Sequence, residues 1–113
     1  MTAEEFFVQF LSARLTVPVL GDIPSPMPQR FVTVEQLGSR SQDKLYHPRI
    51  AVQSWAESRA EAAKLNELVK QAMTHAAESA AVSSCKLESD YNFPELDLKA
   101  PRYQAIFELT YLG

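Results

Sequence analysis

The sequence predicts an α+β fold in which about four antiparallel strands form a sheet with two helices packed on one face. Three observations carry this expectation. Two segments hold apolar residues at helical spacing behind capping signals, four segments alternate as strands do, and the element order lacks the regular strand-helix alternation of a doubly wound parallel sheet. The 113 residues suit one domain, 1–113, with a single modest core. A content of 46% hydrophobic and 22% charged residues is that of a globular chain, outside the range where chains stay disordered.

Thr2 and Glu5 form a capping box, in which each side chain satisfies an orphan backbone donor at the start of a helix. Ala3, Phe6, Phe7, Phe10, Leu11 and Arg14 fall on one stripe behind it, so this helix packs through its phenylalanines. TVPVLGD reads as a short extended piece, because Pro18 pushes Val17 out of helical geometry and Gly21-Asp22 can turn the chain. Pro24, Pro26 and Pro28 follow, and a segment with so few donors belongs in a loop or at an edge.

RFVTVEQLG alternates as a strand and stops at a glycine. The polar run SRSQDKLYH is expected to be a protruding loop leading to the strand PRIAVQSWA, with Ile50 and Val52 on one face and Ala51, Gln53 and Trp55 on the other. Ser58 and Glu61 form a second capping box. Ala62, Leu65, Leu68, Val69, Ala72, Met73 and Ala76 then mark the buried stripe of the surest helix, and Lys64, Glu67, Lys70 and Gln71 mark its wet side. Trp55 is expected to fill the corner between the layers. VSSCKLESDYNF alternates Val82, Ser84, Lys86 and Glu88 against Ser83, Cys85, Leu87 and Ser89, PELDLKAP reads as a turn, and RYQAIFELTYL closes with Tyr103, Ala105, Phe107, Leu109 and Tyr111 on one face. The sheet's other face is left to solvent or a neighbouring subunit.

Few functional classes fit these residues. A net charge of -3 with scattered Lys and Arg offers no basic stripe for phosphates. MTAEEFFVQFLSARL reads as a helix rather than a leader, and no apolar run nears the roughly 20 residues a membrane needs, so a soluble protein made in a cytoplasm is expected. Cys85 is the only cysteine, His47 and His75 lie apart, and three glycines make no phosphate cradle, so no cofactor, metal or catalytic residue is predicted and the protein is not expected to be an enzyme. Glu88, Asp90, Glu95 and Asp97 lack the regular ligand spacing of a calcium loop and read as a solvated acidic stretch.

Three segments together resemble a known family. RFVTVEQLG, then PRIAVQSWAESRAEAAKLNELVKQAM, then YQAIFELTYLG are similar to the tail-terminator, or tail-completion, proteins of long-tailed bacteriophages, in which "fVtVe.lGg" precedes "r..vqvWa.sr.eA..l...v" and a closing strand with alternating aromatics. Phe31 to Gly38, Arg49 to Val69 and Tyr103 to Tyr111 occupy those positions, with Gly38-Ser39 where the family pattern has a doubled glycine. The resemblance implies a virion protein, assembled in the bacterial cytoplasm, that forms a homo-oligomeric ring, typically a hexamer, on the tail tube. Such a ring stops tube polymerisation and provides the interface for head-tail joining. Its implied partners are further copies of itself, the tail-tube protein and a head-completion or connector protein, with DNA passing through unbound.

The contacts expected within that setting are the Ser39 to His47 loop, with Arg40, Lys44 and His47, and the proline segment Pro24, Pro26 and Pro28 as a rigid rim. Two alternatives stay open: a head-completion or connector subunit of the same virion, and a small cytosolic ligand-binding α+β domain with an apolar pocket.

Overall fold

The computed structural model describes residues 1–42 and 45–112. Helix α1 spans Ala3–Ser12, β1 Val19–Leu20, β2 Phe31–Gln42, β3 Leu45–Trp55, α2 Arg59–Met73, β4 Val82–Asn92 and β5 Arg102–Tyr111, with a single 3-10 turn at Ala76–Glu78 before β4. The strands make one sheet in the order β1-β2-β3-β5-β4. It is antiparallel except at β1, which runs parallel to β2 through Val19↔Val32 and Leu20↔Thr33.

The α+β class is therefore the one expected, but the sheet has five strands instead of about four. The extra one is the extended piece after α1. Its two residues are too short to show an alternation, yet they pair with β2 once Pro18 has extended the chain and its carbonyl accepts from Val32 N.

Helix α1 starts at the expected capping box: Glu5 N donates to Thr2 Oγ1 at 3.0 Å, and Thr2 N to Glu5 Oε2 at 3.4 Å. Its phenylalanines bury as a cluster, with Phe6 edge-on to Phe7 at 5.0 Å and Phe7 edge-on to Phe10 at 5.7 Å. On the sheet, Val32, Val34, Ile50, Val52, Ala105, Phe107, Leu109 and Tyr111 meet α1 and α2 in one core. At about 1.5–3 kcal/mol for each large apolar side chain removed from water, this layer is the main favourable term in folding.

Helix α2 is capped by Ser58, whose Oγ accepts from Glu61 N at 3.2 Å, while the Glu61 carboxylate turns to Lys64 and Arg30. Two positions depart from the expected stripe. Leu68 is 52% exposed, and Asn66 is buried in its place. Asn66 is held there by β4: its Nδ2 donates to Asp90 Oδ2 at 2.8 Å, and Lys70, expected in water, reaches the same carboxylate oxygen at 2.7 Å. Polarity alone puts Asn66 and Lys70 outside, and a carboxylate across the layer reverses that.

Two bulges in β4, between Val82 and Ser84 and between Leu87 and Ser89, place that carboxylate. They replace the expected strict alternation. Val82, Cys85, Leu87 and Asp90 now lie opposite Tyr111, Leu109, Phe107 and Ala105, on the helix-bearing face. A one-residue shift moves every later side chain to the other face, and here it happens twice.

Up to Gln42 and again from Leu45 the polar run after Gly38 is strand and not loop: β2 and β3 pair as far as Gln42↔Leu45, past a register shift between Gln36 and Gly38. Tyr46 anchors this extension, packing edge-on against Tyr111 at 6.5 Å and accepting from Gln36 Nε2 at 2.6 Å. A hairpin arm of mostly polar sequence has no apolar alternation to betray it. Twelve residues at about 3.3 Å each also account for the molecule's 42 Å long axis.

The Lys70 hydrogen bond, with help from Asn66, holds the Asp90 carboxyl below the usual aspartate range, and Asp90 raises Lys70 in return. A lowered carboxyl contributes stability that is complete above its unfolded value, near 3.8, and is lost as pH falls through the lower folded value. Replacing Asp90 with Ala also orphans the buried Asn66 amide, so Asp90→Ala should cost about 2 kcal/mol in urea unfolding at neutral pH. It should also flatten the loss of stability below pH 4, and wild-type behaviour in both measurements would rule the anchor out.

Candidate interaction surfaces

The sheet face away from the helices carries its own buried layer. Phe31 and Trp55 stack there at 5.1 Å and 10°, and the Arg102 guanidinium lies 4.8 Å from the Trp55 ring and 4.3 Å from that of Phe93. Trp55 is thus buried, as expected, but not in the corner between sheet and helices. Its place follows from the alternation that sets it opposite Ile50 and Val52.

Next to this stack runs a row of polar side chains across four strands. Trp55 Nε1 donates to Thr33 Oγ1 at 2.9 Å, Thr33 Oγ1 to Gln53 Oε1 at 2.7 Å, Gln53 Nε2 to Gln104 Oε1 at 2.7 Å, and Gln104 Nε2 to the Tyr91 hydroxyl at 2.6 Å. Thr33, Gln53 and Gln104 are buried. Each donor points the same way along the row, so each bond polarises the next. The register Thr33↔Gln53↔Gln104↔Tyr91 puts the four side chains abreast. No sequence motif marks such a row; the only signal was polar residues at alternating positions on otherwise apolar strands.

Farther along the same face, Arg49 forms a 2.8 Å ion pair with Glu88. His47 Nδ1 lies 3.2 Å from the Leu109 carbonyl oxygen and 3.1 Å from Thr110 Oγ1. This corrects the expectation for His47: its ring is engaged with β5 and half-buried instead of standing free on a loop. Arg40 pairs with His47 in the β2–β3 ladder, and Lys44 lies outside the described residues. Pro24, Pro26 and Pro28 do lie in the irregular connection between β1 and β2, with Pro26 exposed and the other two half-buried.

The acidic stretch does not converge. Glu88 is taken by Arg49 and Asp90 by Lys70, while Glu95 lies 3.8 Å from Arg102; Asp97 has no cation partner among the described residues. Burial pushes the Cys85 thiol up to about 12, so it is a thiol and not a thiolate at neutral pH.

Exposed large apolar side chains among the described residues include Ile23, Met27, Leu37, Leu87 and Leu112, and two further places gather several apolar groups. One is the β4–β5 tip, closed by paired hydrogen bonds between Glu95 and Ala100 at 3.0 Å each, with Leu96 79% exposed and Leu98 and Phe93 nearly half exposed. The other is a groove of about 400 Å³ between the end of α1 and the flank of α2, where Leu15, Leu68 and Ala72 lie among Arg14, Thr16, Gln71 and His75. It continues past Leu15 and Leu68 to Val17, Arg30 and Lys64.

The polar row makes a direct test possible. Gln53→Leu keeps the side chain's bulk but leaves the Thr33 hydroxyl proton without an acceptor and Gln104 Oε1 without a donor, at a cost of about 3 kcal/mol. A urea midpoint shifted by less than about a third of that would show that the row contributes little. No protein-family model matches the chain, and no curated protein matches it either, so its function has to be argued from these surfaces.

Proposed function

We propose that the protein is a structural ring subunit of a phage tail: a terminator that caps the tail tube, stops its polymerisation and presents the surface that joins tail to head. The observation that carries this reading is the pair of exposed apolar patches, the β4–β5 tip and the α1–α2 groove, on different sides of one small domain. Contiguous apolar surface beyond what scattered side chains supply marks an interaction site. A subunit with two unlike patches assembles head to tail, and the assembly closes when the rotation between neighbours returns on itself.

Three further features agree. The segments that resemble tail terminators fold into β2, β3, α2 and β5, the centre of the domain. Buried polar side chains, namely Thr33, Gln53, Gln104 and Asn66, hydrogen-bond to other protein groups. With a net charge of -3, the ring's subunits carry no excess of cations to hold passing DNA. In this reading the far end of the β2–β3 hairpin, with Arg40, meets the tube, and the proline segment forms the rim.

Electron microscopy of tails assembled without the protein tests the assignment. Tubes of uncontrolled length that fail to join heads are expected. Tubes of normal length on tails that still cannot join would point instead to a head-completion or connector subunit, and normal virions would overturn both readings.

A further inference from the structure

We propose that the Leu96–Leu98 tip of one subunit seats in the Leu15–Leu68 groove of the next copy, and that this contact is what joins the ring. The inference rests on the ring reading above and adds the interface that would form it.

The two surfaces match in chemistry. The tip presents two leucines on a four-residue turn whose base is pinned by the Glu95–Ala100 pair. The groove offers leucine and alanine side chains: Leu68, 52% exposed, and Leu15 along its walls, with Leu65 and Ala72 beneath. Most charges near the two surfaces are already paired within the chain: Glu95 lies 3.8 Å from Arg102, Arg30 pairs with Glu57 and Glu61, and Lys64 with Glu61, which leaves Asp97 and Lys99 on the tip and Arg14 in the groove. Among the described residues Asp97 has no cation partner, and Arg14 has no carboxylate partner: its guanidinium lies over the Phe10 ring at 3.8 Å and donates to the Phe10 carbonyl oxygen. Seating the tip with Asp97 toward the groove pairs it with Arg14.

Placement excludes a contact within one molecule. Helix α2 lies over β3 and β5, its Asn66 and Lys70 reach Asp90 on β4, and Leu68 faces the α1 flank. The tip extends from β4 and β5, on the other flank of the same helix. A subunit's tip therefore has its own α2 between it and its own groove, and only another copy can fill it. Contact between two different patches is heterologous, the kind that propagates around a ring. Leu96, Leu98 and Leu68 are exposed, so changing them does not remove core.

The test pairs thiols across the proposed contact. In a Cys85→Ala background, which removes the chain's one native thiol, Leu96→Cys and Leu68→Cys are placed in the same chain, and mild oxidation is followed by denaturing electrophoresis and light scattering. A ladder of covalent oligomers rising in 12.7 kDa steps to the ring is expected, with nothing above a dimer from either single variant. Arg14→Asp should reduce the assembly to monomers, and adding Asp97→Arg should restore it. A wild-type ring seen by light scattering, with no ladder from the double variant, would overturn this contact and leave the ring reading intact. Wild-type protein that is monomeric at every concentration, with no ladder, would overturn the contact outright. A ladder from a protein whose loss leaves virions normal would keep the contact and sink the tail assignment.

Discussion

Strand β3 must be buried on both faces, although helices cover only one of them, and most of the molecule answers to that constraint. It pairs with β2 on one side and β5 on the other, so its backbone groups are satisfied by neighbours. Ile50 and Val52 point into the helix-covered core, which is ordinary. Ala51, Gln53 and Trp55 point the other way and are just as buried. Side chains from the same sheet flank them: Phe31 and Arg102 at the indole, Thr33 and Gln104 beside the amide. A buried glutamine without partners would cost several kcal/mol, so the hydrogen-bonded row is what allows a second buried layer to exist without a second set of helices.

That arrangement bears on function. Thr33, Gln53 and Gln104 are turned inward and satisfy one another, whereas Ser54 Oγ and Asn66 Oδ1 are buried without a hydrogen-bond partner among the described residues. Arg102 is engaged as well: it is held between two aromatic rings and its Nε donates to the Phe93 carbonyl oxygen at 2.7 Å. Burial lowers its pKa somewhat, yet a guanidinium stays charged at neutral pH, so it serves as a clamp at the base of the β4–β5 tip. A tip held rigid in this way can present Leu96 and Leu98 to a partner without losing conformational freedom on binding.

Much of this fold was legible in the sequence wherever one face is dry and the other wet. The phenylalanine stripe of α1, the Val32–Val34 and Ile50–Val52 alternation, and the Thr2 and Ser58 caps all report a single interface with a clear period. Legibility failed where a second element changed a residue's surroundings. Asn66 looks like a surface residue until Asp90 arrives from β4, and Asp90 arrives only because two bulges re-aim that strand. The β2–β3 arm reads as a loop because its sequence is mostly polar, with no apolar alternation, and its pairing is a property of the two strands together. His47 went the same way, since the β5 carbonyl it meets lies 62 residues away in the chain. The tip and groove were equally hidden: Leu68 has the spacing of a core residue, and only the position of α1 leaves it on the flank.

The sheet's edges bear on the proposed contact, because neither is a good template for strand pairing with another copy. Open edges invite further strands, and proteins that must not extend indefinitely blunt them. Strand β4 is long, but its two bulges and its charged Lys86, Glu88 and Asp90 make it a poor template for another strand. At the opposite edge, β1 covers Val32 and Thr33, and the Glu4 carboxylate accepts from Gln36 N at 2.9 Å, occupying a donor that an incoming strand would need. In the proposed role of ending a polymer, a subunit could not leave edges that continue one. Contacts made by a two-leucine tip in a matching groove are specific in orientation, and orientation is what decides whether a chain of subunits closes or grows.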